Sequence, residues 1–222
     1  VLEKETRGAK KMKIFVVGAT GRVGQKLITF LEKQGHIVYA GARSSEKITE
    51  TETIKPVFFD LHTEPEEMAA KFADAEAVYF VAGSRGKDLL QSDLYGAVKV
   101  MQAAEAKGIK RYIHLSSAYA LEPEQWQREG MASLMDYTIA KFFSDRWLID
   151  NTALDYTILQ PGALKETPGS SLIEISETTS GAIPIEDVAV LLGEMLERPA
   201  TYQKVIKVQA GETPISEALD QL

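Results

Sequence analysis

The chain has 222 residues, a formal charge of −7, 45% hydrophobic and 26% charged residues, and no cysteine. That balance excludes a disordered chain and a membrane span, and the missing thiols exclude disulfides, a thiolate zinc site and a cysteine nucleophile. An acidic surface argues against nucleic acid as a partner, and the three histidines, His36, His62 and His114, are too scattered to suggest a metal site.

The opening VLEKETRGAKK lacks the apolar core of a secretory signal. It reads as a disordered leader over residues 1–11, ahead of one domain spanning 12–222 in a cytoplasmic protein. Residues 13–17 form a short apolar run stopped by Gly18, the length of a buried strand. After Gly21, Val23, Leu27, Phe30 and Leu31 follow the spacing of a helix with one buried face, which Gly35 closes. Strands are expected at 36–41, 55–59 and 77–81, with a weak helix near 64–72 and a turn at 83–86. A long helix follows, carrying Leu90, Leu94, Ala97, Met101 and Ala104 on its core stripe and ending at Gly108. Beyond it come a strand at 111–115, a helix at 133–150, a strand at 154–159, a helix at 188–196, a strand at 204–208 and a short helix at 215–219. Apolar strands alternating with helices predict an α/β fold: a single doubly wound parallel sheet, a Rossmann fold with helices on both faces. The irregular segment 163–185 reads as a small C-terminal cap for substrate.

The most specific local signal is Gly18, Ala19, Thr20, Gly21, Arg22, Val23 and Gly24, a G-x-x-G-x-x-G turn between strand and helix. The chain must leave the strand sharply and let a diphosphate reach backbone amides that side chains would block. The helix must then pack closely, with its free N–H groups and dipole facing the anion. The second strand selects the nucleotide. An acidic residue at its end would hydrogen-bond the ribose of NAD, but this chain has Gly41, Ala42, Arg43 and Ser44. Arg43 can clamp a 2′-phosphate and Ser44 can donate to it, so NADP(H) is the expected cofactor, with NAD(H) the alternative.

These residues resemble the short-chain dehydrogenase/reductase superfamily, in particular its atypical, epimerase/dehydratase-like members. Size and motif order are also similar to the biliverdin-IX-beta/flavin reductase and NmrA-like groups. The resemblance runs from Met12 to the C-terminus. It implies that Asp60 and Leu61 meet the adenine, that Ala82 and Gly83 lie beside the adenosine ribose, and that Pro161, Gly162 and Ala163 lie near the nicotinamide. Family chemistry rests on serine, tyrosine and lysine. Tyrosine serves as acid or base at the substrate oxygen, lysine holds the ribose and lowers the tyrosine pKa, and serine orients the substrate. Tyr137 and Lys141 match the Y-x-x-x-K pattern, with i, i+4 spacing that puts both on one helical face. A second match, Tyr95 and Lys99, is expected on the outer face of its helix. Ser117 matches the family's serine, with Ser116 beside the cofactor and next in line if the register shifts by one. Asp93 stands where the family commonly has asparagine, so an amide-held water relay would be altered.

The resemblance thus implies an NADP(H)-dependent oxidoreductase acting on a small carbonyl, quinone or flavin-like substrate. The rivals are a non-catalytic NADP(H)-binding redox sensor and a sugar-nucleotide epimerase or dehydratase; the short stretch after Pro161 argues against the last. Ile139, Phe143 and Trp147 lie away from Tyr137, with Phe142 on the flank. They need cover either from the chain's own loops or from a homodimer formed through the helices at 88–108 and 133–150.

Overall fold

A computed structural model describes residues 10–128, 131–178 and 181–222. Of the expected leader, residues 1–9 lie outside the described residues, while Lys10 pairs with Glu76 at 2.8 Å. The first half runs β1 (Lys13–Val17), α1 (Arg22–Lys33), β2 (Ile37–Ala42), β3 (Ile54–Phe58), α2 (Pro65–Lys71), β4 (Ala77–Phe80) and α3 (Tyr95–Lys107). The second runs β5 (Arg111–Leu115), α4 (Met135–Asn151), β6 (Asp155–Pro161), β7 (Ala163–Lys165), β8 (Leu172–Ile175), β9 (Ala182–Pro184), α5 (Ile185–Glu194), β10 (Lys204–Ala210), β11 (Thr213–Pro214) and α6 (Ile215–Asp220).

Nine strands form one sheet in the order β11-β8-β10-β6-β5-β4-β1-β2-β3. From β3 to β10 every pairing is parallel, as apolar strands joined by helical crossovers require. The far edge differs: β8 pairs antiparallel with β10 and with β11. Strand order reverses at β1, which lies between β2 and β4, and a crevice opens there beyond the carboxyl ends of the strands. Within 163–184, β7 and β9 form a separate parallel pair.

Alternation along β1 divides the core in two. Ile14 and Val16 face α1 and α5 in one apolar cluster, and Phe15 and Val17 face α2, α3 and α4 in the other. Leu27 and Leu31 on α1 are fully buried, each contributing about 2 kcal/mol. Close approach of α1 and α5 depends on Gly193, where a Cβ would fall 2.3 Å from the Phe30 ring.

Two expectations for the long helix need correction. Residues Leu89–Leu94 form a π-helical segment, whose wider turn rotates Leu90 off the core stripe and leaves it 71% exposed. Lys99, expected on the outer face, is buried, because α2 and α4 flank α3 on both sides; its Nζ lies 5.0 Å over the Tyr95 ring. On α4, Phe142 meets Trp126 and Phe143 edge-on, whereas Phe143 and Trp147 remain exposed. No helix among the described residues is long and apolar enough to cross a membrane.

Buried Arg111 joins three elements and, among the described residues, makes no ion pair with a carboxylate. It donates to the Met195 and Leu196 carbonyls just past α5 and to the Asp155 carbonyl. It also donates to the hydroxyls of Thr157 and Thr201, and Tyr202 stacks on it at 4.3 Å. The cation thus satisfies the orphan carbonyls at the negative end of α5. Arg111→Met is expected to lower unfolding free energy by about 2 kcal/mol, because those acceptors lose their donor in a dry site. Urea titration should show a lower midpoint with an unchanged slope.

Candidate functional site

The glycine turn sits at the crevice between β1 and β4. Gly18 has φ of +93°, and a Cβ there would lie 2.6 Å from the Ala82 backbone, so only glycine lets the two loops meet. At Gly24 a Cβ would lie 2.2 Å from the Gly18 carbonyl oxygen, which keeps α1 tight against the turn. The turn is fixed by the amides of Gly18 and Ala19 donating to the Gly41 carbonyl at 2.9 and 3.1 Å. Helix α1 begins at Arg22 with no side-chain cap and no acidic residue in its first turn. Its first amides and the positive end of its dipole therefore face the crevice.

Two lobes share this crevice. The smaller, about 220 Å³, is lined by Gly18, Thr20, Gly21, Arg43, Ser44, Leu61, Ala82, Gly83 and Arg85, among others. The larger, about 790 Å³, is lined by Gly21, Arg22, Val23, Arg85, Leu115, Ser116, Tyr137, Lys141 and Leu164, with further residues of the 132–136 segment. Gly21, Val81, Ala82, Gly83 and Arg85 line both lobes and mark where they join.

The structure thus gathers most of the sequence-predicted residues around one cleft. Ala19 and Gly24 are buried under the turn. Asp60 holds the His62 amide at 3.0 Å through its carboxylate and lines neither lobe. Ser117, Pro161, Gly162 and Ala163 also line neither lobe; the Pro161 carbonyl accepts the Ala118 amide at 3.0 Å, and the Gly162 amide donates to Val208. Asp93 is fully buried and accepts the Ser84 amide with both oxygens, at 3.0 and 3.2 Å.

Helix α4 delivers the polar face of the larger lobe. Lys141 is buried and donates to the Leu115 carbonyl at 2.9 Å, one residue before Ser116. Burial lowers its pKa, opposed by the charges of Asp145 and Asp93. Tyr137 lies one turn earlier, its ring 6.0 Å from Nζ. Burial raises the pKa of its phenol, and Asp93 and Asp145 raise it further. The tyrosine is therefore held in its protonated form.

Sequence reasoning missed two residues here. Asp145, fully buried one turn beyond Lys141, accepts the Ser116 hydroxyl at 2.6 Å and the Gln160 amide at 3.2 Å. Its other oxygen lies 3.3 Å from Nε2 of His114, a ring that burial holds neutral. Continuing the i, i+4 spacing past Lys141 would have found it. Arg85, in a turn read only as a connection, reaches both lobes. Among the described residues, no group of three or more His, Cys, Asp or Glu side chains could hold a metal.

A diphosphate-linked dinucleotide suits this cleft. An uncapped helix N-terminus faces a wall of Gly18, Gly21, Ala82 and Gly83. Arg43 and Arg85 line the smaller lobe, and the buried Ser84 hydroxyl beside them has no hydrogen-bond partner among the described residues. The sequence profile of the NAD(P)H-binding family matches residues 18–199. The chain belongs to that family. It is 34% identical over 219 residues to YhfK of Bacillus subtilis (strain 168), an uncharacterized sugar epimerase, covering 95% of this chain and 100% of that one. Among solved structures, the oxidoreductase ylbE of Lactococcus lactis is 46% identical, with a TM-score of 0.92 over 95% of this chain and 96% of that chain. A short-chain dehydrogenase/reductase of Veillonella parvula, solved in complex with NADP, shares the fold at 20% identity, with a TM-score of 0.74 over 92% of this chain and 97% of that chain. This family is the atypical, epimerase-like branch that the glycine turn and the later motifs resemble.

Proposed function

We propose that the protein is an NADP(H)-dependent oxidoreductase that reduces a small carbonyl, quinone or flavin-like substrate. One observation carries the reading: Tyr137, its phenol held protonated, lines the same cleft as the glycine turn, with Lys141 and Ser116 beside it. The chemistry that a bound reduced nicotinamide supplies is hydride transfer. Gly18, Gly21 and the first amides of α1 would hold the diphosphate, and Arg43 and Ser44 a 2′-phosphate. In the larger lobe Tyr137 would hold and donate the proton that the substrate oxygen takes up on reduction. Ser116 takes the place that the sequence gives to Ser117. Its own proton is committed to Asp145, so it accepts a hydrogen bond from the newly formed hydroxyl.

The test is NADPH consumption against a panel of carbonyls, quinones and flavins, alongside calorimetric titration of NADPH. Turnover on any member supports the reading, whereas tight binding without turnover on all of them leaves a redox sensor. The name of the Bacillus subtilis relative favours a second reading, epimerisation of a sugar. Hydride would then leave and return, and substrate would interconvert with no net NADPH loss.

Cofactor choice gives a separate expectation. Arg43 is exposed at the rim of the smaller lobe, and a charge-assisted contact to a phosphate contributes about 1.5–3 kcal/mol. Arg43→Ala should therefore weaken NADPH roughly 10- to 100-fold by calorimetry while NADH binding stays within about twofold. Equal loss for both nucleotides would remove the 2′-phosphate assignment.

A further inference from the structure

Resting on the dinucleotide reading of the cleft, we propose that Arg85 is a second phosphate-binding arm, closing over the diphosphate from the β4 side while the glycine turn holds it from the α1 side. Arg85 is the cation that lines both lobes, and a diphosphate must cross that junction on its way from adenosine to nicotinamide. Among the described residues its guanidinium makes no hydrogen bond or ion pair. Arg22, the other arginine of the larger lobe, is already in contact with Glu166 at 3.4 Å.

The backbone beneath Arg85 makes the same case. Ser84 through Lys87 form a turn closed by the Lys87 amide donating to the Ser84 carbonyl at 3.3 Å. Both central residues have positive φ, +56° at Arg85 and +79° at Gly86, the signature of a mirror-image turn that favours glycine or asparagine. A long L-side chain is disfavoured there, so local energetics do not explain the arginine; a ligand does. Asp93 pins the start of the turn by accepting the Ser84 amide with both oxygens. An acceptor-only carboxylate does this where an asparagine amide would offer one oxygen. The Ser84 hydroxyl, buried beside the smaller lobe and without a partner among the described residues, gives the nucleotide a further hydrogen bond.

Calorimetric titration with NADPH and with NADH tests the arm, using the full chain and its Arg85→Gly and Arg43→Ala variants. Arg85→Gly should weaken both nucleotides by a similar factor, about tenfold, because the diphosphate is common to them. Its thermal midpoint should not fall, since glycine suits a positive φ; a merely structural residue would not combine these results. Arg43→Ala should weaken NADPH alone. Unchanged affinity in Arg85→Gly, or loss confined to NADPH, overturns the proposal while leaving the dinucleotide site intact. A parent chain that binds neither nucleotide overturns the cleft assignment itself, and the arm with it.

Discussion

Tyr137→Phe is expected to lower kcat for NADPH-dependent reduction at least 100-fold while leaving the affinity for NADPH within about twofold. Proton donation at the substrate oxygen is the one contribution the substitution removes. The ring stays, and with it the apolar wall of the cleft. Stability should hardly change, because the Tyr137 hydroxyl makes no hydrogen bond among the described residues that its loss would leave unpaired. The rate should also carry a pH signature. An ordinary tyrosine loses its proton near pH 10, but burial and the charges of Asp93 and Asp145 push the Tyr137 value upward. A donor is competent below its pKa, so kcat for reduction should not fall as pH passes through 10. Steady-state kinetics from pH 6 to 10.5 check both points. A Phe variant retaining more than a tenth of parental kcat would remove Tyr137 from the proton step, and a fall in parental kcat centred below pH 10 would remove the protonated-phenol account.

What the sequence made legible was what short-range chemistry decides. The apolar run before Gly18, the glycines and the stripe of Val23, Leu27 and Leu31 all act within one strand–turn–helix unit, and they appear in the structure as β1 and α1. Tyr137 and Lys141 were legible because i, i+4 spacing fixes their common face once the helix forms. Which of two neighbouring serines lines the cleft was not legible, because adjacent residues at a strand end point to opposite sides and a shift of one exchanges them. Ser116 reaches the cleft and Asp145 through the register of β5 against β6, a long-range fact. Strands β8 and β11 escaped for the same reason: they are short and hold their place through antiparallel pairing rather than through their own periodicity. Leu90 misled because a 3.6-residue period does not hold through a π-helical segment. Arg85 carries no periodic signal at all, and its positive φ is visible only in the backbone.

Asp145→Ala is expected to destabilise the fold by about 3–5 kcal/mol, the range for removing one partner of a buried charge system. Asp145 accepts the Ser116 hydroxyl and the Gln160 amide and stands one turn from the buried ammonium of Lys141, whose charge it favours. Alanine leaves two donors without an acceptor and the cation without its strongest electrostatic support. Asp145→Asn keeps an acceptor oxygen for Ser116 and should cost less, about 1–2 kcal/mol. The alanine deficit should also depend on pH. Burial already depresses the Lys141 pKa, and losing Asp145 depresses it further, so the unfolded chain binds more protons than the folded one. Stability of the variant must then rise with pH toward the ordinary lysine value, above which the amine is neutral in both states and the carboxylate is no longer needed. Urea titrations at pH 7 and pH 10 distinguish this from simple loss of packing. A deficit that narrows with pH identifies Asp145 as the electrostatic support of Lys141, and a deficit equal at both values reduces it to a hydrogen-bond acceptor for Ser116 and Gln160.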